Sequence, residues 1–358
     1  MITISLCMIV KNEEDVLARC LSSAKNLVDE VIIIDTGSTD KTKEIALQFT
    51  DKIYDFEWMD DFSAARNYSF SKATMDYAMW LDADDIITKQ NQLDFLTLKK
   101  SLDSNIDIVM LKYHTSFNEN GEPTFSYYRE RIIKNGKGYL WQSPIHEAIT
   151  PYGTIIHSDV AIHHKKLKAS DPDRNLRIFE KIISEGQTLD PRQQFYYARE
   201  LYYHQRYEDA IAVLETFLDH EKGWVENNIE ACKQLSYCYD QINEDKKALL
   251  SLFRSFSFDQ PRAEICCDIG KYFFDRDDYT TAIFWYETAL TRKRKDTSGG
   301  FVLPDCYDYI PYLQLCVCYD KTGDTIKANA YNEKAGSVKP HSSAYLSNKD
   351  YFKKKLKG

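Results

Sequence analysis

An acidic segment in the N-terminal half of the chain carries the residue types that bind divalent metal ions. The apolar run Tyr77–Leu81 is followed directly by Asp82, Ala83, Asp84 and Asp85. Residues two apart on an extended segment point the same way, so we expect Asp82 and Asp84 to converge on one hard cation. A Mg²⁺ or Mn²⁺ ion there would neutralise the charge of a departing diphosphate. Acidic loops without metal are common, so this hypothesis depends on its context.

A titratable pair further along the chain has the residue types of a general base. His146 and Glu147 are adjacent and follow the aromatic Trp141. A transfer reaction in which a nucleophile loses its proton needs a carboxylate or an imidazole nearby to accept that proton. Glu147, His146 and Asp85 are therefore the candidate catalytic bases. Taken alone, a His-Glu dipeptide has a structural role more often than a catalytic one.

The predicted strand Asp159–His164 ends in two adjacent histidines. Alternation along a strand places His164 on the same face as Val160 and Ile162, so we predict that His164 is a further metal ligand. His163 is then expected to point elsewhere. The alternative interpretation is a pair of exposed histidines.

Arg66 lies one predicted helix before the acidic segment, in the stretch Asp61–Asn67. A guanidinium group binds phosphate oxygens through a planar pair of donors, so we predict that Arg66 contacts a diphosphate. The alternative is an ordinary surface arginine on an amphipathic helix.

Short β-rich runs alternate with helical patterns over the segment that must position these side chains. This succession predicts an α/β domain with parallel strands and right-handed crossovers, whose ligands lie beyond the carboxyl ends of the strands. The β-rich runs are Ile2–Val10, Glu30–Asp35, Lys52–Phe56, Tyr77–Leu81 and Ile106–Tyr113. The helical patterns are Asp15–Leu27, Lys41–Phe49 and Ser63–Ala73.

The ends of the first two strands, Val10–Glu14 and Asp35–Thr42, give the acidic segment its context. With these motifs the sequence resembles the family-two glycosyltransferases of the GT-A fold, a Rossmann-like mixed sheet flanked by helices. The resemblance implies that Asp35 lines the pocket for the base and ribose, and that Asp82 and Asp84 bind metal and diphosphate. Thr36 departs from the pattern, since many members carry a second aspartate there. The residues predicted to bind the nucleotide sugar are Val10, Asn12, Glu14, Asp35, Thr36, Ser38, Arg66, Asp82 and Ala83.

The whole set of motifs is similar to a narrower group, the glycosyltransferases of the sublancin type that modify bacteriocin peptides. This resemblance implies transfer of a hexose from UDP-glucose or UDP-N-acetylglucosamine to a Cys or Ser/Thr side chain of a peptide. In that group a Gly-Tyr pair follows the late histidine, whereas Lys165 follows His164 here. The alternatives are an acceptor in a cell-envelope polysaccharide or lipid-linked sugar, and a non-catalytic repeat scaffold.

The C-terminal half repeats itself. Similar turns and helix starts lead to Ala210, Ala248, Ala282 and Ala328, at spacings of 38, 34 and 46 residues. The tetratricopeptide period is about 34 residues, and stacked helix pairs of this kind form a curved surface that often holds an extended peptide. We therefore predict a GT-A domain over residues 1–168 and an all-α tetratricopeptide-like domain over residues 169–358, with an inserted loop near 293–304. This domain would bind the acceptor, or else form a homodimer or brace the first domain.

The bulk properties exclude some classes of protein. A formal net charge of -9 argues against a nucleic-acid-binding protein, which needs a basic face. No apolar stretch reaches the roughly 20 residues of a transmembrane helix, so a cytoplasmic protein is predicted. The nine cysteines include no CxxC pair, which favours reduced core thiols over a zinc site or disulfides.

Overall fold

The computed structural model of the chain describes residues 1–167 and 171–356. The chain divides into two compact units, Met1–Gln187 and Thr188–Gly358. The boundary predicted between residues 168 and 169 lies outside the described residues. The helix Arg174–Ser184, which the sequence assigned to the repeat domain, belongs to the first compact unit.

A mixed β-sheet flanked by helices forms the first unit, which confirms the predicted α/β class. Its strands are β1 (Ile4–Val10), β2 (Glu30–Asp35), β3 (Ile53–Asp55), β4 (Tyr77–Trp80), β5 (Asp85–Ile86), β6 (Ile108–Phe117), β7 (Pro123–Lys134), β8 (Trp141–Gln142), β9 (Ala148–Ile149) and β10 (Ile155–His164). Its helices are α1 (Leu17–Ala24), α2 (Thr42–Ala46), α3 (Phe62–Ser71), α4 (Lys89–Ser101) and α5 (Arg174–Ser184).

The main sheet has eight strands in the order β3-β2-β1-β4-β7-β6-β10-β5, and β8 pairs with β9 separately. Strands β1 to β4 are mutually parallel where they pair, as predicted. Strand β7 is antiparallel to both of its neighbours, β4 and β6, and β5 is antiparallel to β10. The mixed sheet that the family resemblance implies is therefore confirmed. The antiparallel strands β5 and β7 lie outside the β-rich runs identified in the sequence, and the hairpin of β6 and β7 was not predicted.

Strand β1 is central because its residues are apolar on both faces. Leu6 and Met8 have no exposed surface and pack in the main core with Leu17 and Leu21 of α1. Cys7, which points to the other face, packs with a second cluster of buried residues. Burial of both faces is typical of parallel strands covered by helices. The parallel register aligns the carboxyl ends of β1, β2 and β4 at one edge of the sheet, where the predicted site residues lie.

The second unit consists of successive antiparallel helix hairpins, which confirms the tetratricopeptide-like class. Its helices are α6 (Pro191–Tyr203), α7 (Tyr207–His220), α8 (Val225–Gln241), α9 (Asp245–Arg254), α10 (Ala263–Phe274), α11 (Tyr279–Leu290), α12 (Tyr309–Lys321), α13 (Thr325–Val338) and α14 (Ser343–Lys355). The first and second helices of each pair pack together, and each pair packs on the next. The repeated alanines at 210, 248, 282 and 328 are buried at these contacts.

Close helix packing in the third hairpin depends on Gly270. A Cβ atom added there would lie 2.9 Å from a ring carbon of Tyr286, which is itself buried in α11. The long connection between α11 and α12 contains a short 3-10 helix, Pro304–Tyr307, and corresponds to the loop that the sequence predicted. No helix among the described residues is long and apolar enough to cross a membrane.

Candidate functional site

The loops that follow β1 and β2 are joined by hydrogen bonds into one structure. The backbone N–H and the hydroxyl of Thr36 both donate to the carbonyl of Val10. The N–H of Asn12 donates to Ser38 Oγ at 3.0 Å, and Asn12 Oδ1 accepts from the N–H of Thr39 at 2.8 Å. Asn12 has a positive φ of 55°, a conformation that asparagine tolerates better than most residues. Both loops are thus held in fixed positions relative to each other.

A second set of bonds fixes the start of α2. Glu14 Oε2 accepts from the N–H of Lys41 at 3.0 Å, and the N–H of Glu14 donates to Asp40 Oδ2 at 3.2 Å. The N–H of Glu13 donates to Thr42 Oγ1 at 2.7 Å. Polar groups that would otherwise be free at this edge are therefore used to order the two loops.

The carboxylate of Asp35 is buried and only partly satisfied. Its Oδ1 accepts from the N–H groups of Gly37 and Ser38, both at 2.9 Å. Its Oδ2 has no hydrogen-bond partner among the described residues, although the side chain is only 1% exposed. Gly37 has a φ of 100°, which permits this tight turn. A buried acceptor without a donor is costly unless a ligand satisfies it, so this position suits a ligand N–H group.

The acidic segment meets the end of β10. Donor atoms of Asp84, Asp85 and His164 all lie within 4.8 Å of one another. His164 Nδ1 lies 3.3 Å from Asp84 Oδ1 and 3.4 Å from Asp85 Oδ1. Asp82 does not belong to this cluster, because its Oδ1 accepts from Arg66 Nη2 at 2.8 Å. The structure therefore brings together Asp84 and His164 of the predicted metal ligands, and adds Asp85 to them.

This donor set fits a hard divalent cation. Two carboxylates and one imidazole nitrogen are ligands that Mn²⁺ accepts readily and that Mg²⁺ accepts in part. Burial lowers the pKa of His164, but hydrogen bonds to Asp84 and Asp85 outweigh that effect and raise the pKa to about 10. The two carboxylates therefore favour a positive charge at the position of the imidazole.

Asp85 has no exposed surface, and both of its carboxylate oxygens accept hydrogen bonds. Its Oδ2 accepts from Arg131 Nη1 at 3.1 Å and from the N–H of Asp82 at 3.0 Å. Its Oδ1 accepts from the hydroxyl of Tyr113 at 2.9 Å. These bonds fix the carboxylate in place and fix the backbone of the acidic segment with it.

Three arginines surround the ring of Trp80 beneath the acidic segment. The guanidinium carbon lies 3.6 Å from a ring centroid for Arg131, 4.6 Å for Arg66 and 5.0 Å for Arg129. The ring of Trp141 contacts Trp80 edge-on, with the centroids 5.1 Å apart. Sequence reasoning missed Arg129 and Arg131. The signal that could have revealed them is a pair of arginines two positions apart within a β-rich run.

Arg66 joins the acidic segment to the His-Glu pair. Its Nε donates to Glu147 Oε1 at 2.6 Å, while its Nη2 binds Asp82. Its Nη1 is buried without a hydrogen-bond partner among the described residues. Burial alone would raise the pKa of Asp82, but the positive charges of Arg66 and Arg131 and the hydrogen bond from Arg66 outweigh that effect and hold the pKa at about 2. Asp82 is therefore ionised at neutral pH and bound to a guanidinium group.

The other predicted residues lie around these groups. Ala83 is buried between the two aspartates, at 5% exposure. His146 has a positive φ of 51° and directly precedes Glu147. His163 points away from the cluster, as expected, and its ring contacts those of His114 and Phe117 with centroid distances of 5.0 and 5.3 Å.

Residues 5–167 match the family model described as glycosyl transferase family 2. This segment is a family 2 glycosyltransferase domain. It contains the two joined loops, Asp35, the acidic segment and His164. The resemblance that the sequence motifs indicated is thereby confirmed for this part of the chain.

Curated relatives extend the comparison. A TPR repeat-containing protein of Synechococcus elongatus, Synpcc7942_0270, is 37% identical over 151 residues, which are 42% of this chain and 36% of that protein. The SPbeta prophage-derived glycosyltransferase SunS of Bacillus subtilis is 27% identical over 234 residues, which are 62% of this chain and 54% of SunS. The matches thus span about a third to about half of these relatives.

Solved structures of MamA and of TTC0263 from Thermus thermophilus are also similar. MamA is 18% identical with a TM-score of 0.37, and the match covers 47% of this chain and 82% of that one. TTC0263 is 17% identical with a TM-score of 0.35, and the match covers 51% of this chain and 90% of that one. The assignment of the repeat architecture rests on the helix hairpins of this chain and not on these similarities.

Proposed function

We propose that this protein is an inverting glycosyltransferase that moves a hexose from UDP-glucose or UDP-N-acetylglucosamine to a Cys or Ser/Thr side chain of a peptide. The observation that carries the proposal is the cluster of Asp84, Asp85 and His164 in a family 2 domain. The buried, half-satisfied carboxylate of Asp35 follows β2 at the same edge of the sheet.

The nucleotide is bound by the two joined loops in this proposal. No described residue donates a hydrogen bond to Asp35 Oδ2, and in this proposal an N–H of the base donates to it. The loop residues already hold their positions through hydrogen bonds, so they need not rearrange when the nucleotide binds. These residues are Val10, Asn12, Glu14, Thr36 and Ser38. Preorganised contacts of this kind reduce the entropy lost on binding.

The diphosphate lies at the acidic segment. A Mn²⁺ or Mg²⁺ ion held by Asp84 and His164, with Asp82 and Asp85 close by, would supply positive charge beside the departing diphosphate. Arg66 contributes a guanidinium group whose Nη1 has no hydrogen-bond partner in the part of the chain that the structure describes, and which suits a phosphate oxygen. The three arginines around Trp80 place guanidinium groups beneath the acidic segment in a protein whose net charge is -9.

Glu147 is the base that we favour. The sulfur or oxygen of the acceptor attacks the anomeric carbon, the bond from that carbon to the diphosphate oxygen breaks, and Glu147 takes the proton of the acceptor. Its side chain is 13% exposed and is oriented by Arg66. Asp85 suits this role poorly, because its side chain has no exposed surface and both oxygens accept hydrogen bonds. His146 remains the second candidate.

The acceptor assignment rests on the resemblance to SunS. The matched stretch of 234 residues is longer than the family 2 segment and the first unit, so it must extend into the helical repeats. We propose that the repeats bind the acceptor peptide and that the reaction takes place in the cytoplasm, where nine buried thiols without disulfides are stable.

A transfer assay tests the proposal with the full chain, each UDP-sugar, Mn²⁺ and peptides that contain either Cys or Ser. We expect UDP release and a hexose mass added to the peptide, and at least a 100-fold loss in Asp84→Ala. Asp94→Ala is the matched control, since Asp94 is exposed on α4. Unchanged turnover in Asp84→Ala would refute the metal site. No turnover of either sugar by the wild-type protein would favour the scaffold alternative.

A further inference from the structure

The first helices of three successive hairpins in the second unit share a charged face. Members of this face on α8 recur at spacings of 4, 3 and 4 residues, which places them on one side of the helix. Contacts join it to the face of α10: Tyr237 donates to Asp268 at 2.9 Å. The face consists of Arg199 on α6, Glu226, Glu230, Lys233 and Tyr237 on α8, and Glu264 and Asp268 on α10. We call it the inner face.

A segment of the long loop between α11 and α12 lies across this inner face. We call residues 299–303 the strap. The ring centroid of Phe301 lies 4.8 Å from the guanidinium carbon of Arg199, and the N–H of Leu303 donates to Glu264 Oε1 at 2.8 Å. Val302 is buried, at 7% exposure. The strap therefore makes a backbone contact, an aromatic contact and an apolar contact within three consecutive residues.

Two glycines allow the strap to lie directly against helix α8 and against Trp224, the residue that precedes it. A Cβ atom added to Gly300 would lie 2.2 Å from Glu226 Oε2, and one added to Gly299 would lie 3.0 Å from the ring of Trp224. Gly299 also has a φ of 81°, which disfavours other residues. Glu226 cannot readily move aside, because Arg262 holds both of its oxygens at 2.9 and 3.0 Å. The strap is thus fitted to the inner face.

The fit leaves one strong donor unsatisfied. Arg199 Nη2 donates to the hydroxyl of Tyr203, but Nη1 is buried and has no hydrogen-bond partner among the described residues. An unpaired charged donor is costly when buried. A ligand that kept the contacts of the strap and added a carbonyl or carboxylate oxygen at Arg199 would therefore bind the inner face better than the strap does.

We propose that the inner face is a peptide-binding groove and that the strap is an internal occupant which must leave before a peptide binds. The peptide is an extended segment of the type Gly-Gly-aromatic-aliphatic, with an acceptor oxygen directed at Arg199. That the natural peptide is the glycosyl acceptor rests on the proposed function, whereas the groove and the strap do not. Displacement of the strap then couples peptide binding to opening of the groove.

The strap weakens binding of any peptide by competition. An attached segment acts at an effective concentration on the order of millimolar, so a strap with an intrinsic Kd of roughly 100 µM for the inner face would weaken binding of any competing peptide about tenfold. This ratio is the quantity that the experiment measures.

The probe is a fluorescein-labelled peptide with the sequence of residues 297–304, Thr-Ser-Gly-Gly-Phe-Val-Leu-Pro. Its binding is followed by fluorescence anisotropy without any nucleotide sugar, so the result does not depend on transferase activity. The strap-released full chain carries Phe301→Ser and Val302→Ser. We expect it to bind the probe about tenfold more tightly than the wild-type chain. Equal or weaker binding by a folded strap-released chain would overturn the proposal.

A second substitution locates the binding surface. In the strap-released chain, Arg199→Gln should weaken probe binding at least fivefold, whereas Arg206→Gln, which replaces an exposed arginine of the same unit, should not. Equal effects of the two substitutions would show that the probe does not use the inner face. If the strap-released chain does not fold, hydrogen exchange of the wild-type chain tests the proposal instead. Excess peptide should accelerate exchange at the backbone amides of Val302 and Leu303. Unchanged exchange would show that the peptide does not displace the strap.

Discussion

Removing one partner of the ion pair between Arg131 and Asp85 should destabilise the first unit by about 3–5 kcal/mol. Neither side chain has any exposed surface, and the two atoms lie 3.1 Å apart. Arg131 also donates to the carbonyl of Trp80 and stacks on the rings of Trp80 and Tyr113. Arg131→Met would remove the guanidinium group and leave the carboxylate of Asp85 buried without its counter-charge.

The magnitude follows from burial. Removal of one partner of a buried ion pair costs about 3–5 kcal/mol, since the remaining charge is uncompensated. The same holds for Asp85→Asn, which leaves Arg131 buried and charged, with Nε and Nη2 already lacking hydrogen-bond partners within residues 1–167 and 171–356. The double variant leaves no buried charge, so we expect it to cost no more than either single variant. The coupling energy of the pair is then about 3–5 kcal/mol.

Hydrogen exchange measured by mass spectrometry on peptides from β4 and β7 is the appropriate assay, because global unfolding of a chain with two compact units need not be a single transition. The exposed pair of Lys181 and Asp60 in the same unit is the control, and its coupling energy should be below about 1 kcal/mol. A coupling energy for Arg131 and Asp85 as small as that of the control would refute the reasoning.

Three further outcomes test other parts of the first unit. Asp35→Asn should weaken UDP binding by calorimetry about 10- to 100-fold, because one hydrogen bond to a charged group is lost, and an unchanged Kd would argue against a base contact. Asp84→Asn should abolish the rise in Tm that Mn²⁺ produces with UDP, while Asp94→Asn should keep it; equal shifts would count against the cluster as a metal site. Burial raises the pKa of Glu30, but hydrogen bonds from Lys52, Ser5 and Thr74 outweigh it and hold the pKa at about 2, so the carboxylate stabilises the fold above about pH 4.5 and loses this effect as the pH falls towards 2. Glu30→Gln should therefore cost about 2 kcal/mol at pH 7 and progressively less in acid, and a difference from wild type that stays constant with pH in urea unfolding would contradict this assignment.

The sequence predicted the parallel part of the sheet because those strands are mostly apolar. Ile4–Val10, Glu30–Asp35 and Tyr77–Trp80 all fall within runs identified from composition. The side-chain alternation of β10 also gave the correct direction of His163, away from the acidic segment. These features depend only on local patterns, which a single sequence displays.

Strand β7 was not predicted from the sequence because it contains buried charged residues. Arg129, Glu130 and Arg131 interrupt the apolar pattern of the strand, yet Glu130 is only 5% exposed and Arg131 not at all. Arg129 and Glu130 pair with each other, whereas the charge of Arg131 is compensated by Asp85, which is far away in the sequence. Local periodicity cannot reveal an ion pair between residues that are distant in the sequence. The hairpin and the arginines around Trp80 could therefore be identified only from the structure.

For a similar reason, sequence reasoning predicted only part of the metal-ligand cluster that the structure shows. Spacing alone pairs Asp82 with Asp84, but the ion pair with Arg66 takes Asp82 out of the cluster, and pairing between β5 and β10 brings Asp85 in. The full ligand set, including Asp82, stays a prediction. In the repeats, spacing located the hairpins, whereas the position of the inserted loop across the inner face depends on tertiary contacts.

All nine cysteines are unpaired and buried. Burial raises the pKa of Cys232 and Cys238 to about 12, so at neutral pH their sulfur atoms stay protonated and unreactive. In the proposed reaction, none of these buried thiols would compete with an acceptor thiol for the activated sugar. A chromogenic disulfide reagent should accordingly titrate almost no sulfhydryl in the native chain and nine after denaturation.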